Sequence, residues 1–154
     1  MRQDTSLPTS TPNGALVAIC LCYAAFVELN HGHYKMYARA RLGDTGLAER
    51  VVVLVLRRTE ANWERALRDD PAAFTWRALC EAVTAARTLA PTVPPDRLHR
   101  VMPDQAADAA LLHDLLGLEP AAAAALMGLD EPAVHVQLKA ARRWRGGRAE
   151  AGGA

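Results

Sequence analysis

The residues of this sequence best suited to chemistry are the cations near its C-terminus. Residues 132–148 contain five Lys or Arg and no acid, whereas residues 101–131 contain six acids and no Lys or Arg. Cations grouped on one helix neutralise nucleic-acid phosphates and release counterions. Cations at a helix C-terminus also complement the helix dipole, so the charge pattern alone fits a solvated helix end equally well. The candidate DNA contacts are His135, Gln137, Lys139, Arg142, Arg143 and Arg145.

The residues before these cations predict a helix-turn-helix. Pro120 suits the first turn of a short helix, and Gly128 suits the left-handed position just after its end. Asp130 can cap a second helix by accepting hydrogen bonds from its free amides. Two helices joined by a short turn containing Gly, the second one basic, form the minimal reader of the DNA major groove. An ordinary helical hairpin in an all-α core fits the same spacing.

The composition favours an all-α protein. Hydrophobic residues make up 51% of the 154 residues and aromatic residues only 5%, and alanine, the strongest helix former, is abundant. The net charge of +1 excludes a polycation that coats nucleic acid, so any DNA contact must come from local patches. Three cysteines without a framework spacing indicate reduced thiols in a cytoplasmic protein. The apolar run at residues 15–29 is too short to span a bilayer, so we expect a core helix and no membrane partner.

Two small helical domains joined by a proline-rich linker are predicted. The second domain has a marginal core, so we expect it to dock on the first domain or on a partner. The predicted segments are a tail at 1–14, the first domain at 15–89, the linker at 90–102, the helix-turn-helix domain at 103–148 and a tail at 149–154.

Two local features of the first domain are less regular. Asn30 and Gly32 predict a break in the first helix. Residues 51–56, VVVLVL, have the propensity of a strand, which conflicts with the helical pattern on either side.

Neither a metal site nor an active site is predicted. Cys20, Cys22, His31 and His33 lie within fourteen residues, but their spacing matches no common zinc motif. Helical residues two apart also point to different faces. No phosphate-binding loop, nucleophile elbow or pair of carboxylates stands out. We therefore expect no metal, no cofactor and no enzymatic activity.

Motifs spread over residues 23–145 add a family resemblance. The first half carries Phe26, Leu29, His31, Tyr37 and Ala38, then LGD at 42–44, AE at 48–49, Val51, Val52, DPAAF at 70–74, Trp76 and Leu79. The second half carries MPDQ at 102–105, LLHDLLGL at 111–118, MGLDE at 127–131, Val134, Leu138, Ala141 and Arg142. In the order and spacing of these motifs, the chain resembles bacterial RNA polymerase sigma factors of the extracytoplasmic-function group.

The resemblance implies the roles of both domains. A first domain of this kind binds the clamp of the RNA polymerase core and melts the promoter, and the helix-turn-helix domain holds promoter DNA. Residues 47–63 are then helical. The implied melting surface, which faces the unpaired non-template strand, includes Trp63, Trp76 and Arg77, with Phe74 expected in the core. The implied polymerase-core or partner surface consists of Arg50, Val53, Leu54, Arg57 and Arg58.

The chain departs from the family pattern in both domains. Family members usually carry an acid, a Gln and an acid where this chain has Arg50, Val53 and Leu54. In the second helix of the helix-turn-helix, the usual Thr, Lys, Ser and Arg correspond to Ala133, His135, Val136 and Gln137. Only His135 and Gln137 keep hydrogen-bonding capacity towards bases, so we expect weak base readout.

These inferences give one leading hypothesis and two alternatives. The leading hypothesis is a sigma-like factor that directs RNA polymerase core to promoters. The first alternative is a protein-interaction module that uses the apolar face of residues 51–56 to bind itself or a regulator such as an anti-sigma protein. The second is a DNA-binding regulator that acts without polymerase core.

Overall fold

Within residues 12–90 and 96–151, which the computed structural model describes, all regular structure is helical. The prediction of an all-α fold is therefore confirmed for these residues. Residues 91–95 of the predicted linker lie outside the described residues, as do residues 1–11 and 152–154 of the predicted tails. The elements are α1 Pro12–Leu42, α2 Thr45–Ala61, α3 Trp63–Arg68, α4 Pro71–Leu89, α5 Asp104–Ala110, a π-helical turn Leu111–Leu115, α6 Pro120–Met127 and α7 Glu131–Ala151.

α2 contains the strand-like run at residues 51–56 and is nonetheless helical, as the family resemblance implies. Asp44 caps the helix by accepting a hydrogen bond from Leu47 N at 2.7 Å. Buried residues then recur at helical spacing, at Val51, Val52 and Val55, whereas Val53 and Leu54 point outwards. Burial of one helical face outweighs the local strand propensity of the six residues.

α1 runs without the predicted break near Asn30 and Gly32, so that prediction is wrong. Asn30 Nδ2 donates to Phe26 O at 2.8 Å, which supports the helix one turn back. The helix is long and apolar enough to span a membrane by length and composition over Gly14–Leu42. Its second half is part of the protein core, because Tyr34 and Tyr37 are fully buried. Residues 14–18 and 20–22 are exposed, so the prediction of a core helix at residues 15–29 is wrong for the first half of that segment.

The helices of both predicted domains share one hydrophobic core. Val52 of α2 and Leu79 of α4 belong to the same buried cluster as Leu112 of the π-helical turn, Met127 of α6 and Val134 of α7. α6 packs on α4, and α7 packs on α5 and α6. Residues 103–147 are thus docked on the first four helices, as the marginal core of the second unit predicts.

The turn between α6 and α7 makes the closest approach to α4. Gly128 has a φ of 66°, and a Cβ built on it would lie 2.2 Å from Ala73 N and 2.4 Å from Ala73 Cα. Only glycine fits a left-handed position with backbone this close. The helix-turn-helix is therefore held directly against the first turn of α4.

Five charged or polar side chains, which we call the ionic cluster, tie residues 96–108 to α1. His99 lies between two carboxylates, with Nδ1 2.8 Å from Asp96 Oδ1 and Nε2 2.7 Å from Asp108 Oδ1. Arg41 Nε lies 3.0 Å from Asp96 Oδ2, at an angle outside that of a hydrogen bond, so this contact is Coulombic. Tyr37 Oη accepts from Arg41 Nη1 at 2.5 Å and donates to Asp108 Oδ1 at 2.6 Å. The cluster joins α1 and α5 to residues 96–99, which lie within the predicted linker.

The ionic cluster favours a protonated His99. Burial lowers the pKa of His99, but the hydrogen bonds to Asp108 and Asp96 raise it above its usual value of 6.5. Burial likewise raises the pKa of Asp96, but the hydrogen bonds from His99 and the Arg41 charge lower it to about 2. Asp96 is thus ionised at neutral pH, and its contact with His99 strengthens as the imidazole gains its second proton.

Candidate nucleic-acid interface

The predicted helix-turn-helix has its helices and turn where the sequence places them. α6 begins at Pro120 and ends at Met127, Gly128 takes the left-handed position, and Asp130 Oδ1 accepts from Ala133 N at 2.8 Å. Three residues therefore separate α6 from α7. Because the cap and the glycine are both in place, the orientation of the second helix is fixed by local chemistry as well as by the core.

One side of α7, which we call the α7 outer face, is exposed and positively charged. Lys139, Arg142 and Arg143 are exposed, and the spacing of three and four residues puts them on one side of the helix with His135 and Val136. The opposite side is buried through Val134, Leu138 and Ala141. The three cations make no ion pair with any described residue, so their charge is available to phosphate.

Two of the predicted DNA contacts are in contact with other side chains of the protein. Gln137 is half-buried, and its Nε2 donates to Gln105 Oε1 at 3.3 Å. Arg145 is exposed, but its Nη1 lies 2.7 Å from Asp114 Oδ2 in an ion pair with the π-helical turn. Both residues thus contact a neighbour on α5 or on the π-helical turn in this structure, and their role as DNA contacts stays a prediction. His135 stays on the α7 outer face, with Nε2 3.4 Å from Glu131 Oε1.

Trp144 is an exposed aromatic residue that the sequence interpretation missed. It stands half-exposed beside Arg143 and lines an open groove with Ala140 and Gly147. An aromatic residue between arginines on a helix end is a signal that could have been used. Its ring and the Arg143 guanidinium can both lie against a flat base or along a sugar–phosphate backbone.

The two tryptophans assigned to the melting surface are in the core instead. Trp63 is 5% exposed, and its ring packs 5.3 Å from Tyr23 and 5.1 Å from Phe26 between centroids. Trp76 is 7% exposed and packs 4.6 Å from Tyr37. Rings this deeply buried cannot stack on bases in this conformation, so this part of the predicted surface is wrong. Arg77, the third predicted residue, is exposed.

A basic groove with a single aromatic ring lies next to Arg77. We call it the Phe74 groove, since the half-buried Phe74 replaces the tryptophans as the accessible ring. Its volume is about 180 Å³, too small for a buried drug-sized ligand but open to a flat ring lying on its surface. The groove is lined by Arg58, Asn62, Arg65, Phe74, Arg77, Ala78 and Glu81.

The predicted polymerase or partner surface is exposed on one side of α2, which we call the α2 outer face. Val53 is 45% exposed and Leu54 is 64% exposed, and they lie between Arg50 and Arg57 on the same side of the helix. Arg58 lies at the edge of this face, where its Nη1 is 3.4 Å from Glu81 Oε2. The α2 outer face is thus an apolar pair flanked by cations.

The candidate metal ligands are not brought together. Cys20 and Cys22 are exposed on α1, and His31 and His33 follow about three turns later. Among the described residues, no group of three His, Cys, Asp or Glu side chains is placed to hold a metal ion.

Comparison of the chain with models of protein families, with curated proteins and with solved structures found no match.

Proposed function

We propose that the protein is a sigma-like transcription initiation factor of the cytoplasm, which joins RNA polymerase core and holds promoter DNA. The observation that carries the proposal is the α7 outer face, where the second helix of a helix-turn-helix presents Lys139, Arg142 and Arg143 to solvent. The order of sequence motifs that resembles extracytoplasmic-function sigma factors supports the same function. No cofactor is needed for it.

The α7 outer face is suited to DNA held mainly through phosphates. Lys139, Arg142 and Arg143 can each neutralise a phosphate and release a counterion, which supplies affinity without sequence information. Base readout falls to His135, a hydrogen-bonding group, and to Val136, which can contact a thymine methyl. Gln137 Nε2 donates to Gln105 Oε1, so this contact must break before the amide can read adenine in bidentate fashion. We therefore expect modest sequence specificity from this helix alone.

The Phe74 groove is suited to an unpaired base. An aromatic face stacks on any base, and a base that leaves the duplex needs such a platform to offset its lost stacking. Arg65 and Arg77 at the rim supply charge for the adjoining phosphates. Gly128 packs on Ala73, the residue before Phe74, so the start of α7 and this groove meet at the first turn of α4. A promoter contacted at both places would be held on either side of one rigid junction.

The α2 outer face is suited to a protein partner, and we propose that this partner is the polymerase core. Exposed Val53 and Leu54 provide an apolar centre, and Arg50 and Arg57 provide a charged rim, as in many transient interfaces. The matching surface on the partner should therefore be apolar with acidic margins.

A pull-down with bacterial RNA polymerase core tests this part of the proposal. We expect the wild-type chain to bind core and Leu54→Asp to bind at least about tenfold more weakly, since a carboxylate in an apolar interface loses its hydration. Leu115→Asp is the matched control, because Leu115 is 66% exposed on a different element. Equal binding by both variants, or no binding by the wild type, would remove the polymerase from the proposal.

A second candidate function is favoured by the same apolar pair. Val53 and Leu54 stand where the resembling family usually has polar residues, which suits a partner other than polymerase, such as a regulator of the anti-sigma kind. In that case the chain would bind a regulator or itself through this face without core. A chain that stays monomeric at high concentration and captures no partner in a pull-down would count against this function.

A further inference from the structure

Two exposed arginines lie just before α5, in residues 96–102, which we call the linker turn. Neither Arg97 nor Arg100 makes an ion pair with a described residue. The proposed transcription function uses cations of α7, of the Phe74 groove and of the α2 outer face, but not these two. Exposed cations without a counter-ion in the protein are available to an anionic partner.

Hydrogen bonds hold the linker turn in one conformation. Met102 N donates to Leu98 O at 3.2 Å, and His99 N donates to Asp96 Oδ1 at 3.0 Å. The ring of His99 lies within the ionic cluster, so the turn is also fixed by its side chain. The two arginines therefore project from an ordered backbone, which reduces the conformational entropy that binding would cost.

The linker turn packs along one flank of α7. The half-buried side chains of Leu98, Val101 and Ala140 all pack on one small buried cluster. Ala140 precedes Arg143 and Trp144 by three and four residues, so it neighbours both on the surface of α7. The linker turn therefore lies beside the edge of the α7 outer face. The small cluster consists of Met102, Ala106, Ala107, Ala110 and Ala141.

The dimensions of the major groove place such a flank against a phosphate strand. An α-helix with its side chains is about 10–12 Å across, and the groove is about 12 Å wide. A helix that lies in the groove fills it, so an element packed beside that helix faces the sugar–phosphate backbone at the groove edge.

The exposed charge of the linker turn suits that phosphate strand. The charge of Asp96 is balanced inside the ionic cluster, with Oδ2 3.0 Å from Arg41 Nε and 3.6 Å from Arg87 Nη1. Asp104 is the exposed acid of residues 96–108, and it lies in the first turn of α5, where it complements the helix dipole. The two arginines are thus the charges that the linker turn itself offers to solvent.

We propose that Arg97 and Arg100 bind phosphates of the DNA strand that borders α7, so that the DNA interface extends from the helix-turn-helix onto the predicted linker. This inference rests on the proposed function, since it requires α7 to lie in a major groove. Each contact releases a counterion and adds affinity without sequence information. The linker turn then binds DNA as well as joining the two halves of the chain.

Fluorescence anisotropy with a mixed-sequence DNA duplex, from 50 to 200 mM salt, tests the proposal on the full chain. We expect Arg97→Ala and Arg100→Ala each to reduce the slope of the logarithm of the binding constant against the logarithm of salt concentration by about 1, and the double alanine variant by about 2. At about 150 mM salt, each loss corresponds to roughly fivefold weaker binding.

Two further variants are matched controls. Arg97→Lys/Arg100→Lys keeps both charges and should keep the wild-type slope, which separates a lost charge from a disturbed turn. Arg39→Ala removes an exposed arginine from α1 and should also leave the slope unchanged. Arg39 lies two residues before Arg41, so it is on the opposite side of α1 from the ionic cluster.

The outcomes separate this proposal from the proposed function. If Arg142→Ala reduced the slope and the double alanine variant did not, this proposal alone would be overturned. An equal reduction by Arg39→Ala would also overturn it, because net charge and not position would then set the slope. So would weaker binding of the double alanine variant to RNA polymerase core with unchanged duplex binding, since the partner would then be an acidic protein surface. If the wild-type chain bound no duplex at any of these salt concentrations, both proposals would fail.

Discussion

Gly128→Ala is the substitution that most sharply tests how the helix-turn-helix is docked. The new Cβ would lie 2.2 Å from Ala73 N and 2.4 Å from Ala73 Cα, and backbone at these distances has to move. Alanine in a left-handed conformation costs about 1–2 kcal/mol. Overpacking against a well-packed neighbour adds about 1–3 kcal/mol. The free energy of unfolding should therefore fall by about 2–5 kcal/mol.

Two other glycines separate these two contributions. Gly117 has a φ of 72° with nothing within 4 Å of a built Cβ, so Gly117→Ala should show the backbone cost alone, about 1–2 kcal/mol. Gly32 is helical with open space around it, so Gly32→Ala should stabilise the protein by about 0.5–1 kcal/mol.

Urea unfolding followed by circular dichroism measures all three variants under one condition. In thermal unfolding of a chain of this length, each kcal/mol of change in the free energy of unfolding corresponds to a change in Tm of about 2–4 °C. We expect the free energy of unfolding to decrease in the order Gly32→Ala, wild type, Gly117→Ala, Gly128→Ala. If Gly128→Ala were no less stable than Gly117→Ala, the turn between α6 and α7 would not be packed on α4, and the shared core would be refuted.

The remaining predictions concern the ionic cluster, the α7 outer face and the Phe74 groove. Because the folded-state pKa of His99 is raised, its stabilising contribution is complete below pH 6.5 and is lost as pH rises through the raised value. Because the pKa of Asp96 is lowered to about 2, its contribution is present above pH 3.8 and is lost as pH falls towards 2. Urea midpoints against pH should therefore be highest between these limits, and His99→Gln should flatten the alkaline limb whereas His135→Gln should not. In fluorescence anisotropy from 50 to 200 mM salt, Arg142→Ala should reduce the slope of the logarithm of the duplex binding constant against the logarithm of salt concentration by about 1, which corresponds to one phosphate contact. Arg145→Ala should reduce this slope by less. An equal effect of the two would contradict the placement of Arg145. Phe74→Ala should weaken single-stranded DNA binding by about 1–3 kcal/mol and leave duplex binding nearly unchanged, and a uniform loss on both would count against stacking.

Local chemistry made the helix-turn-helix predictable from the sequence. Pro120, Gly128 and Asp130 each act within a few residues of their own position, as a first-turn residue, a left-handed terminator and a cap. Helix periodicity also sets Gln137 apart, since it is out of phase with Lys139 and Arg142. Arg145 follows Arg142 by three residues, so only its contact with Asp114, which lies 31 residues earlier in the chain, distinguishes it from the other cations.

Other features depend on contacts between distant residues and could not be predicted locally. Trp63 and Trp76 have polar ring nitrogens and large apolar rings, so residue type alone suits both a base-stacking surface and a core. Only the packing of α1 on α3 and α4 decides that they are buried. The ionic cluster likewise joins Tyr37 to Asp108, 71 residues apart, and no sequence spacing signals it.

Run-off transcription with bacterial RNA polymerase core tests the central claim most directly. Templates would be duplex DNA fragments from the genome that encodes this chain, with wild type, Leu54→Asp and Leu115→Asp compared at equal concentration. We predict discrete transcripts with the wild type and with Leu115→Asp, and their loss with Leu54→Asp. The absence of any transcript that depends on the wild-type chain would contradict the proposal that this protein is a sigma-like initiation factor.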